Sequence, residues 1–293
     1  MKTVSIFGGS GFIGSRLIAH LAKQKVQIRL FTQKKVKANH LKVLPNLKLF
    51  EYNETTDLKT LLAGSDVVIN CIGILHEDKK NSFHQIHALW LKKLTHTLNQ
   101  LKIKRFIHLS ALGASKEGPS NYLKSKFEGE TYIKKNLKTT AWTIFRPSIV
   151  FGEQDSFINL FRKLLNFLPI LMLVSPHSKF QPIACEDLVE MMLKSLQDKK
   201  TFNKTYHVGG PKVYSFIEII RLILEASGQK RIIIPLPKNL SWMMVWFLEL
   251  LPVKLITRDN LKSMSVDNIV NINDAYQFKS TLKDLAIYLK ETG

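Results

Sequence analysis

The chain has 293 residues, 45% of them hydrophobic, and its 43 Lys plus Arg against 23 Asp plus Glu give a formal charge of +20. That apolar content, with only 14 Gly and 10 Pro, excludes disorder, collagen and low-complexity sequence. Two cysteines, Cys71 and Cys185, exclude a disulfide scaffold and fit a reducing compartment.

Lys2 and Thr3 lead straight into Val4–Phe7, without the apolar run or cleavage site of a signal peptide. Strands are expected at Thr3–Phe7, Gln27–Phe31, Leu47–Phe50, Asp66–Cys71, Arg105–Leu109 and Ala141–Phe145. Helical periodicity falls between them at Phe12–Lys23, Leu58–Leu62, Phe83–Leu101 and Tyr122–Lys135. Strict alternation implies right-handed crossovers and a parallel sheet, and near-continuous apolar strands imply helices on both faces. The expected fold is α/β, a Rossmann-type doubly wound parallel sheet. After Pro147 the rhythm loosens, with strand candidates at Phe180–Ile183, Thr205–Val208 and Ile232–Ile234. This predicts a nucleotide domain over 1–150 and a smaller, mostly helical substrate-side region over 151–293, interleaved with the sheet near 180–210.

The apolar runs Leu164–Val174 and Trp242–Ile256 are interrupted and shorter than the ~18–20 residues that span a bilayer. The chain is therefore expected to be cytoplasmic, at most peripheral on a membrane's inner face. Residues 242–256 read first as a buried helix, and second as a membrane or partner contact.

Gly8-Gly9-Ser10-Gly11-Phe12-Ile13-Gly14 joins the first strand to the first helix. A tight turn, a close backbone approach and a helix N-terminus are what a pyrophosphate needs. All seven residues are therefore expected at a dinucleotide. No acidic residue occurs between Met1 and Phe50 to grip a ribose 2′-hydroxyl; Lys34, Lys35 and Lys37 stand there instead. Cations suit a 2′-phosphate, so NADP(H) is favoured, with NAD(H) second.

Ser110 ends the fifth strand, and Tyr122 and Lys126 share a face of the next helix. An ammonium near a phenol favours the phenolate, which suits acid/base chemistry on a carbonyl or alcohol. The candidate catalytic set is Tyr122, Lys126 and Ser110. His84 and His87, three apart on a helix, lack a third metal ligand, so no metal is expected. His108 and His207 read as hydrogen-bonded core histidines, Asp187 as a helix cap, and Trp242, Met243, Met244, Trp246 and Phe247 as core or lid.

Together these segments resemble the extended and atypical short-chain dehydrogenase/reductases, over nearly the whole chain. Within them the closest resemblance is to the group around the 39-kDa accessory subunit of respiratory complex I. The carrying segments are Gly8–Gly14, Asp66–Leu75, Arg105–Ala114, Arg146–Gly152, Lys179–Ile183, Val208–Pro211, Leu255–Asp259 and Asp267–Ile269. The resemblance implies NAD(P)(H) along the sheet's carboxyl edge. It puts Asn53 near the adenine, Cys71, Ile72 and Gly73 beside the cofactor, Tyr122 and Lys126 on the nicotinamide ribose, and Pro147 and Ser148 flanking the ring. Gln33 stands where many relatives carry Arg, so the 2′-phosphate preference rests on Lys34 and Lys35. His87 replaces a usual Asn.

Three functions follow as expectations. The first is an NADP(H)-dependent oxidoreductase acting on an unidentified small carbonyl or alcohol. The second is a non-catalytic nucleotide-binding component of respiratory NADH:quinone oxidoreductase. The third, RNA association, has only the charge behind it, since no RRM, KH or stacking motif occurs.

Overall fold

The computed structural model describes residues 1–249 and 256–292. The chain runs β1 (Thr3–Phe7), α1 (Phe12–Leu21), β2 (Gln27–Thr32), β3 (Leu47–Glu51), α2 (Leu58–Leu62), β4 (Val67–Asn70), α3 (Trp90–Gln100), β5 (Arg105–Leu109), α4 (Asn121–Asn136) and β6 (Ala141–Pro147). It continues through β7 (Val150–Phe151), α5 (Phe157–Phe167), β8 (Ile170–Leu173), β9 (Lys179–Phe180), β10 (Ile183–Ala184), α6 (Cys185–Ser195) and β11 (Lys204–Val208). It ends with β12 (Tyr214–Ser215), α7 (Phe216–Ala226), β13 (Ile232–Pro235), α8 (Lys238–Glu249), α9 (Arg258–Ser263) and α10 (Leu285–Thr292).

Two compact units emerge. The first comprises Met1–Ala111, Ser125–Arg146 and Leu188–Tyr206; the second comprises Leu112–Lys124, Pro147–Asp187 and His207–Gly293. The units interleave at 112–124 as well as at 188–206, so a single cut at residue 150 does not separate them.

The first unit is built on a seven-stranded sheet of order β11-β6-β5-β4-β1-β2-β3. The β1–β2, β1–β4, β2–β3, β4–β5 and β5–β6 pairs are parallel. Strand order reverses at β1, which pairs β2 on one side and β4 on the other, and such a switch point opens a crevice at the strands' carboxyl ends. Val67–Asn70 are all buried, the mark of a strand covered on both faces. Behind the switch, Phe7 packs on Phe31 and Trp90 at 4.9 Å and on Tyr52 at 5.5 Å between ring centroids.

Buried Arg105 fastens 188–206 to this sheet. Its guanidinium donates to Thr143 Oγ1 at 2.6 Å and to the Ser195 carbonyl at 2.7 Å, and lies 4.6 Å from the Phe202 ring.

The helix expected over Phe83–Leu101 opens instead with a π-helical turn, His84–Leu89, before α3. At Gly129 of α4, a Cβ would collide with the His87 carbonyl and Leu91. Widened turns of this kind often accompany functional sites.

The second unit packs around Phe157, Phe161, Phe180 and Phe216, whose rings contact one another. The strand expected at Phe180–Ile183 is two short strands, β9 and β10, because Pro182 has no N–H to give a ladder. β8 and β13 pair in parallel, Ile170 opposite Ile232 and Met172 opposite Ile234.

Asp187 is not the expected cap. It lies inside the first turn of α6 and accepts from Lys279 Nζ at 2.8 Å and the Lys283 N–H at 2.7 Å. The expected core-or-lid helix is α8, with Ser241 and Val245 buried but Met243, Trp246 and Phe247 exposed. Residues 250–255 of the 242–256 run lie outside the described residues. No described helix is long and apolar enough to cross a membrane.

Candidate functional site

At the carboxyl end of β1, Gly8 adopts φ +74°, and a Cβ there would stand 2.6 Å from the Cys71 backbone carbon. The turn therefore needs glycine for its conformation and for its close approach to the loop after β4. At Gly14 a Cβ would strike the Gly8 carbonyl and Gly9, which is how α1 sits so close to the turn. At Gly11, by contrast, the nearest atom is the Gly8 carbonyl oxygen at 3.4 Å, so an anion can approach the backbone. Gly11 is also the N-cap of α1 and supplies no side-chain bond. The amide groups of Phe12 and Ile13 and the helix dipole are left to an anion, the chemistry of a pyrophosphate cradle. Ser10, Phe12 and Ile13 are half-buried around it.

Beyond β2, Lys34 and Lys35 are exposed, and Lys35 Nζ stands 4.0 Å from Glu51. Arg29 takes no part in a 2′-phosphate site, because its guanidinium donates to the carbonyls of Leu61 and Ala63 at 2.8 Å each. Exposed Asn53 spends its Oδ1 on the N–H of Thr55 and the hydroxyls of Thr55 and Thr56.

After β4, Cys71 and Ile72 are half-buried and Gly73 is exposed. Burial pushes the Cys71 thiol up to about 12, so it stays protonated rather than acting as a thiolate. His87 clamps this loop. Its Nε2 accepts the Ile74 N–H at 3.1 Å, which leaves Nδ1 to donate to Ser125 Oγ at 3.0 Å. Desolvation lowers its pKa to about 2, so the ring is neutral.

Lys126 is 4% exposed and donates to the Leu109 carbonyl at 3.3 Å. Its burial lowers the ammonium to about 8 against the opposing pull of Glu130. A Cβ at Gly73 would lie 3.1 Å from Lys126 Nζ, so glycine there makes room for the ammonium. Beside it, His108 Nδ1 accepts from Asn70 Nδ2 at 3.1 Å, and Asn70 Oδ1 accepts from Trp90 at 3.1 Å. His108 Nε2 is buried with no partner among the described residues.

Ser110 is placed otherwise than its expected role requires. Its Oγ donates to Glu130 Oε1 at 2.6 Å, and Glu130 is wholly buried. The same carboxylate takes two bonds from Arg146, at 2.7 Å from Nε and 2.6 Å from Nη2. With its one proton given to a carboxylate, Ser110 can accept a hydrogen bond but cannot donate one to a carbonyl oxygen.

Tyr122, half-buried, opens α4 one turn before Lys126. Desolvation raises its pKa to about 12, the opposite of the expected depression by Lys126, so the phenol is neutral. Asp259 holds this turn, accepting the N–H groups of Asn121 at 2.7 Å and Tyr122 at 3.1 Å. In the same unit Ser148 Oγ bonds Asn268 Oδ1 at 2.6 Å, and Pro147 accepts the Leu112 N–H at 2.9 Å. Glu130, Arg146 and Asp259 were not among the expected site residues. A carboxylate four residues after Lys126 was the available signal for Glu130; nothing local marks Asp259, 137 residues from Tyr122.

His84 bonds Glu128 at 3.0 Å, and among the described residues no three His, Cys, Asp or Glu side chains gather as a metal site.

A family model described as NAD(P)H-binding matches residues 8–162, from the glycine turn into α5. The chain belongs to this NAD(P)H-binding family. A second model, the RmlD substrate binding domain, matches residues 114–241. Curated relatives of this NAD(P)H-binding protein include NADH dehydrogenase (ubiquinone) 1 alpha subcomplex subunit 9 of Arabidopsis thaliana, 28% identical over 92% of the chain and 71% of the relative. The Dictyostelium discoideum subunit of that name is 27% identical over 77% of the chain. The match spans 64% of that relative's length.

Among solved structures, UDP-glucuronic acid 4-epimerase from Bacillus cereus in complex with NAD superposes with a TM-score of 0.76 at 19% identity. It covers 98% of this chain and 96% of its own. An Escherichia coli NADPH-dependent quinone oxidoreductase complexed with NADPH gives 0.78 at 12% identity, covering 99% of each chain. The fold is thus the one shared by epimerases of the short-chain dehydrogenase/reductase type, and the curated relatives lie in the complex I group that the sequence resembles.

Proposed function

We propose that the chain holds NAD(P)(H), with NADP(H) preferred, as a bound nucleotide in an accessory component of a respiratory NADH:quinone oxidoreductase. The observation that carries this reading is the Ser110–Glu130–Arg146 cluster. It commits the only Ser110 proton to a buried carboxylate and removes the donor that carbonyl reduction would use. The glycine turn and α1 would take the pyrophosphate, Lys126 the nicotinamide ribose, and Lys34 and Lys35 the 2′-phosphate. When bound, the nucleotide supplies a hydride donor or acceptor at its nicotinamide ring. The complex I subunits among the relatives support the respiratory association.

A second reading, an oxidoreductase working through Tyr122 and Lys126, is favoured by one observation: buried Lys126 titrates near 8, within reach of neutral pH. Its acid would be the neutral Tyr122 phenol, donating to the carbonyl oxygen as hydride arrives.

One experiment separates the two. The chain loaded with NADPH is challenged with aldehydes, ketones and quinones while nicotinamide absorbance is followed. On the first reading the nucleotide stays reduced and the chain comigrates with detergent-extracted NADH:quinone oxidoreductase. Oxidation that Tyr122→Phe abolishes, with NADPH affinity retained, would instead establish the second.

A further inference from the structure

The second unit carries an exposed apolar face built from segments whose charged residues are all cationic. β8 and β13 form a two-stranded ribbon with one face turned in and one turned out. Leu171 and Leu173 are buried, while the paired residues Ile170 and Ile232, and Met172 and Ile234, are exposed. Phe167, at the end of α5 beside this ribbon in sequence, is 85% exposed. α8 follows β13 directly and is two-sided. Val245 packs with Val174 and Leu261, and partly buried Trp242 and Met244 join them. Leu240, Met243, Trp246 and Phe247 face outward at helical spacing, with Phe247 57% exposed and edge-on to Trp246 at 5.0 Å. Exposed apolar side chains grouped in this way, along one ribbon face and one helix face, mark an interaction site.

The charges around it are one-sided. Residues 156–185 and 226–248, which build both parts of the face, contain Arg162, Lys163, Lys179, Lys230, Arg231 and Lys238 and no Asp or Glu. The carboxylates bordering these segments are Asp155, Glu186, Asp187, Glu225 and Glu249, and Asp187 is held by Lys279. Asp155 caps α5 by accepting the Ile158 N–H, Glu225 stands 3.7 Å from Lys290, and Glu249 is bonded by Arg258. A second copy of the chain would set like charges against like. An anionic bilayer meets both features at once, with aromatic and aliphatic groups entering the headgroup boundary and lysines meeting lipid phosphates.

We propose that the second unit docks on an anionic lipid surface through α8 and the outer face of β8–β13, with Lys163, Lys230 and Lys238 on the headgroups. None of these residues belongs to the glycine turn or the loop after β4, and docking does not depend on the nucleotide reading.

The test is flotation of the full chain with vesicles of phosphatidylcholine alone and of phosphatidylcholine containing one third phosphatidylglycerol. The chain should float with the anionic vesicles and remain behind with the neutral ones. Binding should weaken as salt rises from about 0.1 M to about 1 M, because the charges become screened. A Trp246→Glu, Phe247→Glu variant should lose at least about tenfold in partition, and so should Lys163→Glu, Lys230→Glu, Lys238→Glu, since each cation near a charged surface counts for about fivefold. Unchanged thermal unfolding would confirm that both variants fold, whatever their nucleotide affinity. Should either fail to fold, tryptophan emission decides: vesicles should shift it to the blue in the parent chain, and the shift should vanish in Trp246→Phe. Failure of the parent chain to float with anionic vesicles would overturn the proposal. So would equal flotation with both vesicle types, or a dimer that the Trp246→Glu, Phe247→Glu change dissociates.

Discussion

At the residue scale, the side chains around the loop after β4 depend on one another. Gly73 makes room for Lys126, so Gly73→Ala should push the ammonium aside. The expected result is a loss of at least about tenfold in NADPH affinity with less than about 1 kcal/mol change in stability, since only a flexible side-chain end must move. Glu130 is more structural. Glu130→Gln would leave Arg146 without its two-bond carboxylate and should cost on the order of 3 kcal/mol in denaturant unfolding, whereas Ser110→Ala should cost about 1 kcal/mol. Equal costs would contradict the cluster as described. Lys126 also makes stability depend on pH. Its folded pKa of about 8 lies below the unfolded value, so the folded state releases its proton first, and stability should rise between about pH 8 and 10.5. Lys126→Met should flatten that rise.

At the scale of elements, the π-helical turn His84–Leu89 and α4 form one device. His87 reaches from the turn to the Ile74 N–H on one side and to Ser125 of α4 on the other. Because His87 stays neutral to about pH 2 when folded but takes a proton near 6.5 when unfolded, its contribution is full above 6.5 and lost on acidification below it. His87→Asn keeps an acceptor for Ile74 and should reduce the loss of stability between about pH 6.5 and 4.5; an unchanged acid profile would contradict burial of the neutral ring. The widened turn itself is invisible to periodicity, because π and α segments share the same apolar residues over one turn. Within it His87 closely approaches Gly129, a contact between residues 42 positions apart that no local pattern records.

At the scale of the whole molecule, the sheet was the legible part. Six strands show as apolar runs, fully buried in β4 and β5 but only half-buried at the edge in β3, and the glycine turn shows because only glycine fits Gly8 and Gly14. The second unit was poorly legible. Its strands are only two to four residues long, and Asn268 and Asp259 act on residues more than a hundred positions away. The candidate site residues could be named from the sequence, but not their hydrogen-bond commitments. Ser110 looked like a donor to substrate until Glu130 took its proton, and Tyr122 looked acidified whereas desolvation raises its pKa.

The charge of +20 divides in the same way. On the proposed readings Lys34 and Lys35 meet the 2′-phosphate, and Lys163, Lys230 and Lys238 meet the lipid headgroups. On the proposed reading the cradle holds a dinucleotide with a 2′-phosphate preference. Calorimetric titration of the chain with NADPH and with NADH tests it most directly. Both should bind, NADPH the more tightly, and Lys34→Glu, Lys35→Glu should erase the difference while leaving NADH affinity nearly unchanged. Absence of binding by either nucleotide would contradict the account.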